Sequence, residues 1–454
     1  MTDTLRCLRA GELAGARRIA IAAGLDEFPR EIFTLADSLE ILDLSGNALT
    51  TLPDDLHRLT RLRVLFCSNN AFTGLPASIG ACAVLEMVGF KANRIAHVPA
   101  ASLPPSLRWL ILTDNQIAEL PDELGRRPHL QKLMLAGNRL QALPATLAGC
   151  ERLELLRIAA NRFEALPGWL AALPRLAWLA FGGNPVCAAR ELAALATQGL
   201  PTIDASCVAL QQKLGEGASG VIHRALWRRD DGNDTALEAI AVKHFKSAIT
   251  SDGTPRSEMA ACIAAGMHAG LIGATARVVS GTATDALAMR LIDPAFEVLA
   301  GPPSLETCTR DVYADGVGFT PRQAVQIASG IADAVAHLHA RGILHGDLYA
   351  HNILRQGGEA LLGDFGAASF LDAADTADKA DGTDGASAAS LQRIEARAFG
   401  CLLEELAQRC DHATAGGASE PLATLKALQL RCMDEMPAAR PTFAQIVQAL
   451  APLR

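Results

Sequence analysis

From Leu39 onward one pattern, Leu-x-x-Leu-x-Leu-x-x-Asn-x-Leu, keeps returning with substitutions, and its period limits the possible folds more than any other feature of the chain. Copies begin at Leu39, Leu62, Leu85, Leu107, Leu130, Leu153 and Leu176, at steps of 23 residues with a single step of 22. A unit this short cannot bury its own apolar face, so the copies must stack into a solenoid with a continuous core. The asparagines fall at Asn47, Asn70, Asn93, Asn115, Asn138, Asn161 and Asn184. Each is expected to turn inward and bond the backbone of the bend leaving its strand, where an apolar residue would strand buried amides. Leu-Pro follows at Leu52-Pro53, Leu75-Pro76, Leu120-Pro121, Leu143-Pro144 and Leu166-Pro167, where proline can begin a convex segment without losing a needed N–H.

This array resembles a leucine-rich repeat. Residues 16–35 read as a degenerate first repeat, as a cap requires, and the helical pattern of 188–196 closes the other end. The resulting expectation is a repeat domain over 1–198, a linker over 199–207 and a second domain over 208–454. Alternate side chains of solenoid strands face outward, so the concave face should carry Ile41, Val64, Phe66, Met87, Trp109, Ile111, Met134, Leu155 and Trp178, with Asp43, Lys132 and Arg157 between them. So apolar a stripe is a candidate docking surface for a protein partner; strand propensity alone accounts for Ile41 and Val64 but poorly for the two Trp and two Met. On that view Trp109→Ala and Trp178→Ala weaken capture of a partner and leave folding intact.

The second half is ordered differently. A Gly-rich stretch, Leu214-Gly215-Glu-Gly217-Ala-Ser219-Gly220-Val-Ile222, separates two strand-like runs, 208–213 and 221–227. Glycines there let a backbone approach charged oxygens without a side-chain clash. Ala241-Val242-Lys243 lies in a third strand-like run, 237–245, and Glu258 follows fifteen residues after Lys243. Then come His345-Gly346-Asp347-Leu348 with Asn352, and Asp364-Phe365-Gly366. In this order and spacing the motifs resemble the protein kinase superfamily over residues from about 208 to the C-terminus.

The resemblance implies an α/β leucine-rich repeat solenoid followed by an α+β two-lobed protein kinase fold. It implies ATP and Mg²⁺ as cofactors, with nucleotide contacts from Leu214, Gly215, Gly217, Ser219, Gly220, Ile222, Ala241, Lys243 and Met289. Lys243 would bind the phosphates and be held by Glu258, Asp347 would be the catalytic base, and Asn352 and Asp364 would hold the metal through hard oxygen donors. A transition-metal site at His345, Asp347 and His351 is the weaker alternative. The run 321–340 has Val325, Ile327, Ala328, Ile331, Val335 and Leu338 near helical spacing and should pack beneath the catalytic loop. Phe399-Gly400 and Arg440-Pro441 resemble further landmarks of the helical lobe.

Several positions depart from the family pattern. Gly346 stands where arginine usually precedes the catalytic aspartate, so activation by loop phosphorylation is not implied. Tyr349 stands where serine/threonine kinases carry lysine, leaving serine/threonine, the favoured specificity, open against tyrosine. Glu395 replaces a common aspartate, and no Ala-Pro-Glu follows Asp-Phe-Gly. The segment 371–390, rich in Asp, Ala, Gly and Ser, is expected to be mobile, with Ser369, Thr376, Thr383, Ser387 and Ser390 as candidate phosphate acceptors.

Composition narrows the setting. At 454 residues the chain exceeds one ordinary core. A net charge of −8 without a basic run argues against nucleic acid as a partner. Eleven cysteines without a Cys-x-x-Cys pair suit reduced thiols and a cytoplasmic location. Neither a secretory signal nor a membrane span is expected. The favoured reading is a cytoplasmic serine/threonine protein kinase whose repeats recruit a partner. Two alternatives are a pseudokinase scaffold acting through its repeats and a small-molecule phosphotransferase, since His-Gly-Asp-Leu also resembles aminoglycoside and choline kinases.

Overall fold

A computed structural model of the chain describes residues 3–197, 199–217, 219–230, 235–246, 249–281, 283–371, 385–410 and 420–453. Its first half is an eight-stranded parallel sheet of three-residue strands, from Arg18–Ala20 and Ile41–Asp43 through to Trp178–Ala180. The central residue of each repeat strand, Leu42, Leu65, Val88, Leu110, Leu133, Leu156 or Leu179, is at most 1% exposed, which places the stacking core behind the sheet. Short 3₁₀ turns line the opposite side, and Pro76, Pro121, Pro144 and Pro167 each sit immediately before one.

The asparagines form the expected ladder. Asn161 donates through Nδ2 to the carbonyls of Leu135, Ile158 and Ala159 and accepts from the Leu140 N–H. Asn138 and Asn115 repeat the arrangement one and two turns earlier. The residue before each asparagine is left-handed, with φ between 52° and 75°. Glycine fills three of these seven places, but Asn69, Ala92, Asp114 and Ala160 fill the rest. The helix Pro185–Ala196, with Asn184 as its N-cap residue, caps the array and begins three residues earlier than its periodicity indicates.

The second half has two lobes. Its smaller lobe is a six-stranded sheet in the order Val208–Glu216, Gly220–Asp230, Thr235–Phe245, Ala283–Arg290, Ala274–Ser280, Thr202–Asp204. The last of these strands lies within the expected linker and pairs in parallel with Ala274–Ser280, so 199–207 is built into this lobe rather than spanning a gap. The helix Pro255–Ala265 starts at Thr254, whose side chain accepts from the Ser257 N–H. The larger lobe is helical. Its helix Pro321–Ala340 opens with a capping box between Thr320 and Gln323 and buries Val325, Ile327, Ala328, Ile331, Val335 and Leu338. The helices Ala388–Gln408, Glu420–Cys432 and Phe443–Leu450 complete it. No helix among the described residues is long and apolar enough to cross a membrane.

One hydrophobic core runs from the solenoid into the helical lobe. The expectation of a concave face free for a protein partner therefore fails over its C-terminal half, because the chain's own second domain lies against it. The Trp178 ring stacks on Tyr349 at 4.2 Å between centroids, and its Nε1 donates to the Leu348 carbonyl. Lys132 donates to the Cys308 carbonyl, and Arg157 reaches the catalytic loop. Trp178→Ala would accordingly disturb the packing between domains, not leave folding intact. Further along the contact, the Ser369 hydroxyl accepts from the N–H groups of Phe181 and Gly182, and Arg440 donates to the Pro174 carbonyl. Ser369 is fully buried in this role and is no phosphate acceptor in this arrangement; Thr376 and Thr383 lie outside the described residues.

Candidate active site

The cleft between the lobes is assembled from short-range devices. The first two strands of the small lobe form a hairpin whose turn is closed by a hydrogen bond from the Gly217 N–H to the Gly220 carbonyl. A Cβ on Gly220 would stand 2.5 Å from the His244 carbonyl oxygen, so the adjacent strand demands glycine there. Gly215 and Gly217 face open space instead, which leaves the backbone uncovered for a ligand. Gly217, Ser219, Gly220, Ile222, Lys243 and Met289 line the cleft together with Thr250, Asp252, Cys262, Ile272 and Asp364. Leu214, Gly215 and Ala241 are outside this lining: Leu214 is half exposed, and Ala241 is buried in the sheet opposite Met289.

Lys243 forms an ion pair with Glu258, which the helix Pro255–Ala265 presents from its first turn. Burial works against charge on Lys243, but Glu258 and Asp364 outweigh it and raise its pKa, so it stays an ammonium. Across the cleft, Asp364 sits at φ 54° and accepts from the Gly366 N–H, leaving an exposed carboxylate.

Asp347 lies outside that lining, on a loop tied to the Asp364 loop, and is held from several sides. Asn352 donates to its Oδ2 at 2.8 Å and to its backbone carbonyl at 2.9 Å. Its own N–H reaches His345 Nδ1, while His345 Nε2 bonds the Gly363 carbonyl, tying the Asp347 and Asp364 loops together. His351 bonds Asp311, so the two histidines are committed to different partners. Behind the loop, Glu395 accepts from the Gly346 N–H at 2.7 Å and from His339. Burial alone would lift the Glu395 carboxyl, yet His339 and the Gly346 N–H bring it below its ordinary value. The longer acid thus reaches the catalytic loop where the family pattern has aspartate.

Two residues join the site without a local signal. Asp252, on the loop before Pro255–Ala265, lines the cleft. Arg157, from the repeat domain, pairs with both Asp252 and Asp347 and donates to the Gly346 carbonyl at 2.8 Å. Burial raises the Asp347 carboxyl above its ordinary range, with Arg157 opposing the rise. The site fits a nucleotide with a divalent ion. It offers an uncovered glycine cradle, an ammonium, and hard oxygens at Asp364 and Asn352, too few to complete a metal shell without water or phosphate.

Comparison with known proteins agrees with this geometry. Residues 208–390 match the protein kinase domain family, residues 105–163 the leucine rich repeat family, and residues 37–77 a two-copy leucine rich repeat family. The serine/threonine-protein kinase PkaA of Streptomyces coelicolor is 32% identical over 180 residues, 36% of this chain and 30% of that protein. The mouse leucine-rich repeat and calponin homology domain-containing protein 1 is 30% identical over 108 residues, 23% of this chain and 15% of that protein. A probable inactive serine/threonine-protein kinase of Dictyostelium discoideum, roco10, is 30% identical over 109 residues, 23% of this chain and 4% of that protein. The chain spans less than a third of the length of each of these relatives.

Proposed function

We propose, for a chain that carries leucine-rich repeats in its N-terminal part and a protein kinase domain over 208–390, that it transfers the γ-phosphoryl group of ATP to a protein hydroxyl, serine or threonine in preference to tyrosine. The observation that carries this reading is a cleft lined by the Lys243–Glu258 pair and Asp364, to whose loop Asp347, fastened by Asn352, is tied through His345. Likeness to a serine/threonine kinase supports the residue preference.

When bound, ATP with Mg²⁺ supplies the phosphoryl donor and the cation that neutralises its oxygens. Lys243, kept charged and aimed by Glu258, draws the phosphates towards the cleft floor. The glycine turn lets backbone N–H groups approach them. Asp347 orients the acceptor hydroxyl and takes its proton, which its buried, raised carboxyl favours. Asn352 fixes the Asp347 carboxylate by its amide and, with Asp364, offers oxygen to the metal. The eleven cysteines are all unpaired, nine of them buried, which supports a reducing, cytoplasmic setting.

The test is Mg²⁺-dependent transfer of labelled γ-phosphate by the purified chain. Lys243→Met and Asp347→Ala should each lower transfer by at least about 100-fold, with label on serine or threonine. Nucleotide binding without transfer in the wild type would instead indicate a scaffold, a reading favoured by the cover that Trp178 places over Tyr349.

A further inference from the structure

We infer that Arg157 of the repeat domain is a positioning residue for phosphoryl transfer: it fixes the Asp347 carboxylate and ties the two lobes, so the solenoid is part of the catalytic machinery. This inference rests on the kinase reading above.

The guanidinium is 2% exposed and has partners in both lobes. Its Nε donates to Asp252 Oδ1 at 2.8 Å, ahead of the Glu258 helix, while Nη1 and Nη2 hold the Gly346 carbonyl and Asp347 Oδ1 on the catalytic loop. With Asn352 on Oδ2, both oxygens of Asp347 are thereby oriented. Neither Gly346 nor Tyr349 brings positive charge to this loop, and Arg157 is the cation that pairs with Asp347 among the described residues. Its replacement at position 346 is excluded while the domains are docked, because Gly346 has φ 74° and a Cβ there would lie 2.6 Å from the carbonyl oxygens of Leu179 and Ala367. Leu179 belongs to the neighbouring repeat strand. The array therefore closes the usual place for a basic residue and supplies one from the adjoining turn.

An inhibitory plug has a different signature: it fills the nucleotide cleft or takes the machinery apart. Arg157 does not line the cleft, Lys243 stays paired with Glu258, and the Asp347 side chain keeps 15% exposure. Withdrawing the guanidinium would leave the partly buried Asp252 and Asp347 carboxylates without the cation they share, which opposes easy release.

The experiment measures steady-state ADP formation by the full chain with ATP, Mg²⁺ and casein, for wild type, Arg157→Gln, Arg157→Lys and the double variant Arg157→Gln/Asp252→Asn, with Asp347→Ala as the blank. Expected is a kcat loss of about 100-fold in Arg157→Gln, a KM for ATP within about 3-fold of wild type, and recovery of about 10-fold in Arg157→Lys. The double variant removes the like-charge repulsion and so guards against a folding failure; slow turnover in it supports the positioning role, and wild-type turnover overturns it. A kcat equal to or above wild type in Arg157→Gln also overturns the inference, the latter outcome marking a plug. A wild type no faster than the Asp347→Ala blank overturns the kinase reading itself.

Discussion

Glu395 shows how one residue can hold a loop in place. It is 1% exposed and bonds the Gly346 N–H and His339, so truncation leaves a buried donor and an imidazole without their acceptor. Glu395→Ala should destabilise the chain by about 2–3 kcal/mol, since it leaves buried polar groups unsatisfied. Glu395→Gln, which keeps an oxygen for Gly346, should cost visibly less. Denaturant midpoints at constant slope would show it, and equal losses for the two variants would contradict the account. The candidate site residues Lys243, Asp347, Asn352 and Asp364 sit in motifs of fixed local spacing, which is what makes them legible in the sequence. Arg157 is not legible there, because its partner Asp347 is 190 positions away and the pairing exists only through the way the domains dock.

Among the elements, the solenoid was the more readable half. Its period fixes the strands, the inward leucines and the asparagine ladder, since each repeat bonds its immediate neighbour. The left-handed residue before each asparagine carries no common sequence signal, because four of the seven are not glycine. Asn69 and Asp114 belong to residue types that tolerate this region, whereas Ala92 and Ala160 have no polar side chain to offset the strain. Ala92→Gly, at φ 54°, removes a penalty of about 1–2 kcal/mol and loosens the unfolded chain by about 0.4–1 kcal/mol. A net gain of up to about 1.6 kcal/mol in unfolding free energy is expected; a loss would show that the turn is not strained. The strand Thr202–Asp204 lies hidden in the expected linker because Pro201 precedes it and its partner strand lies some seventy residues on.

At the scale of the whole molecule, the two domains behave as one body. A shared core, a buried arginine between two acids and the Trp178–Tyr349 stack join them. Heat or denaturant should therefore unfold the chain in one transition. Tryptophan fluorescence reports mainly the array, through Trp109, Trp169 and Trp178, and helical circular dichroism reports mainly the second domain. Their curves should coincide, and separated midpoints would mean that the domains are stable apart.

The contact with the second domain comes from the last three repeat strands, Lys132–Met134, Leu155–Arg157 and Trp178–Ala180, the last two of which reach the loop of Asp347. Each unit advances the stack by a fixed step, so the distance of Arg157 from the closing helix is a count of repeats. The array is thus free to grow or shrink at its far end without disturbing the chemistry. Adding or losing one unit after Arg157 would carry the guanidinium a whole strand away from Asp347. Length variation in such a chain is therefore one-sided, with a free end that can diversify and a near end locked to the count.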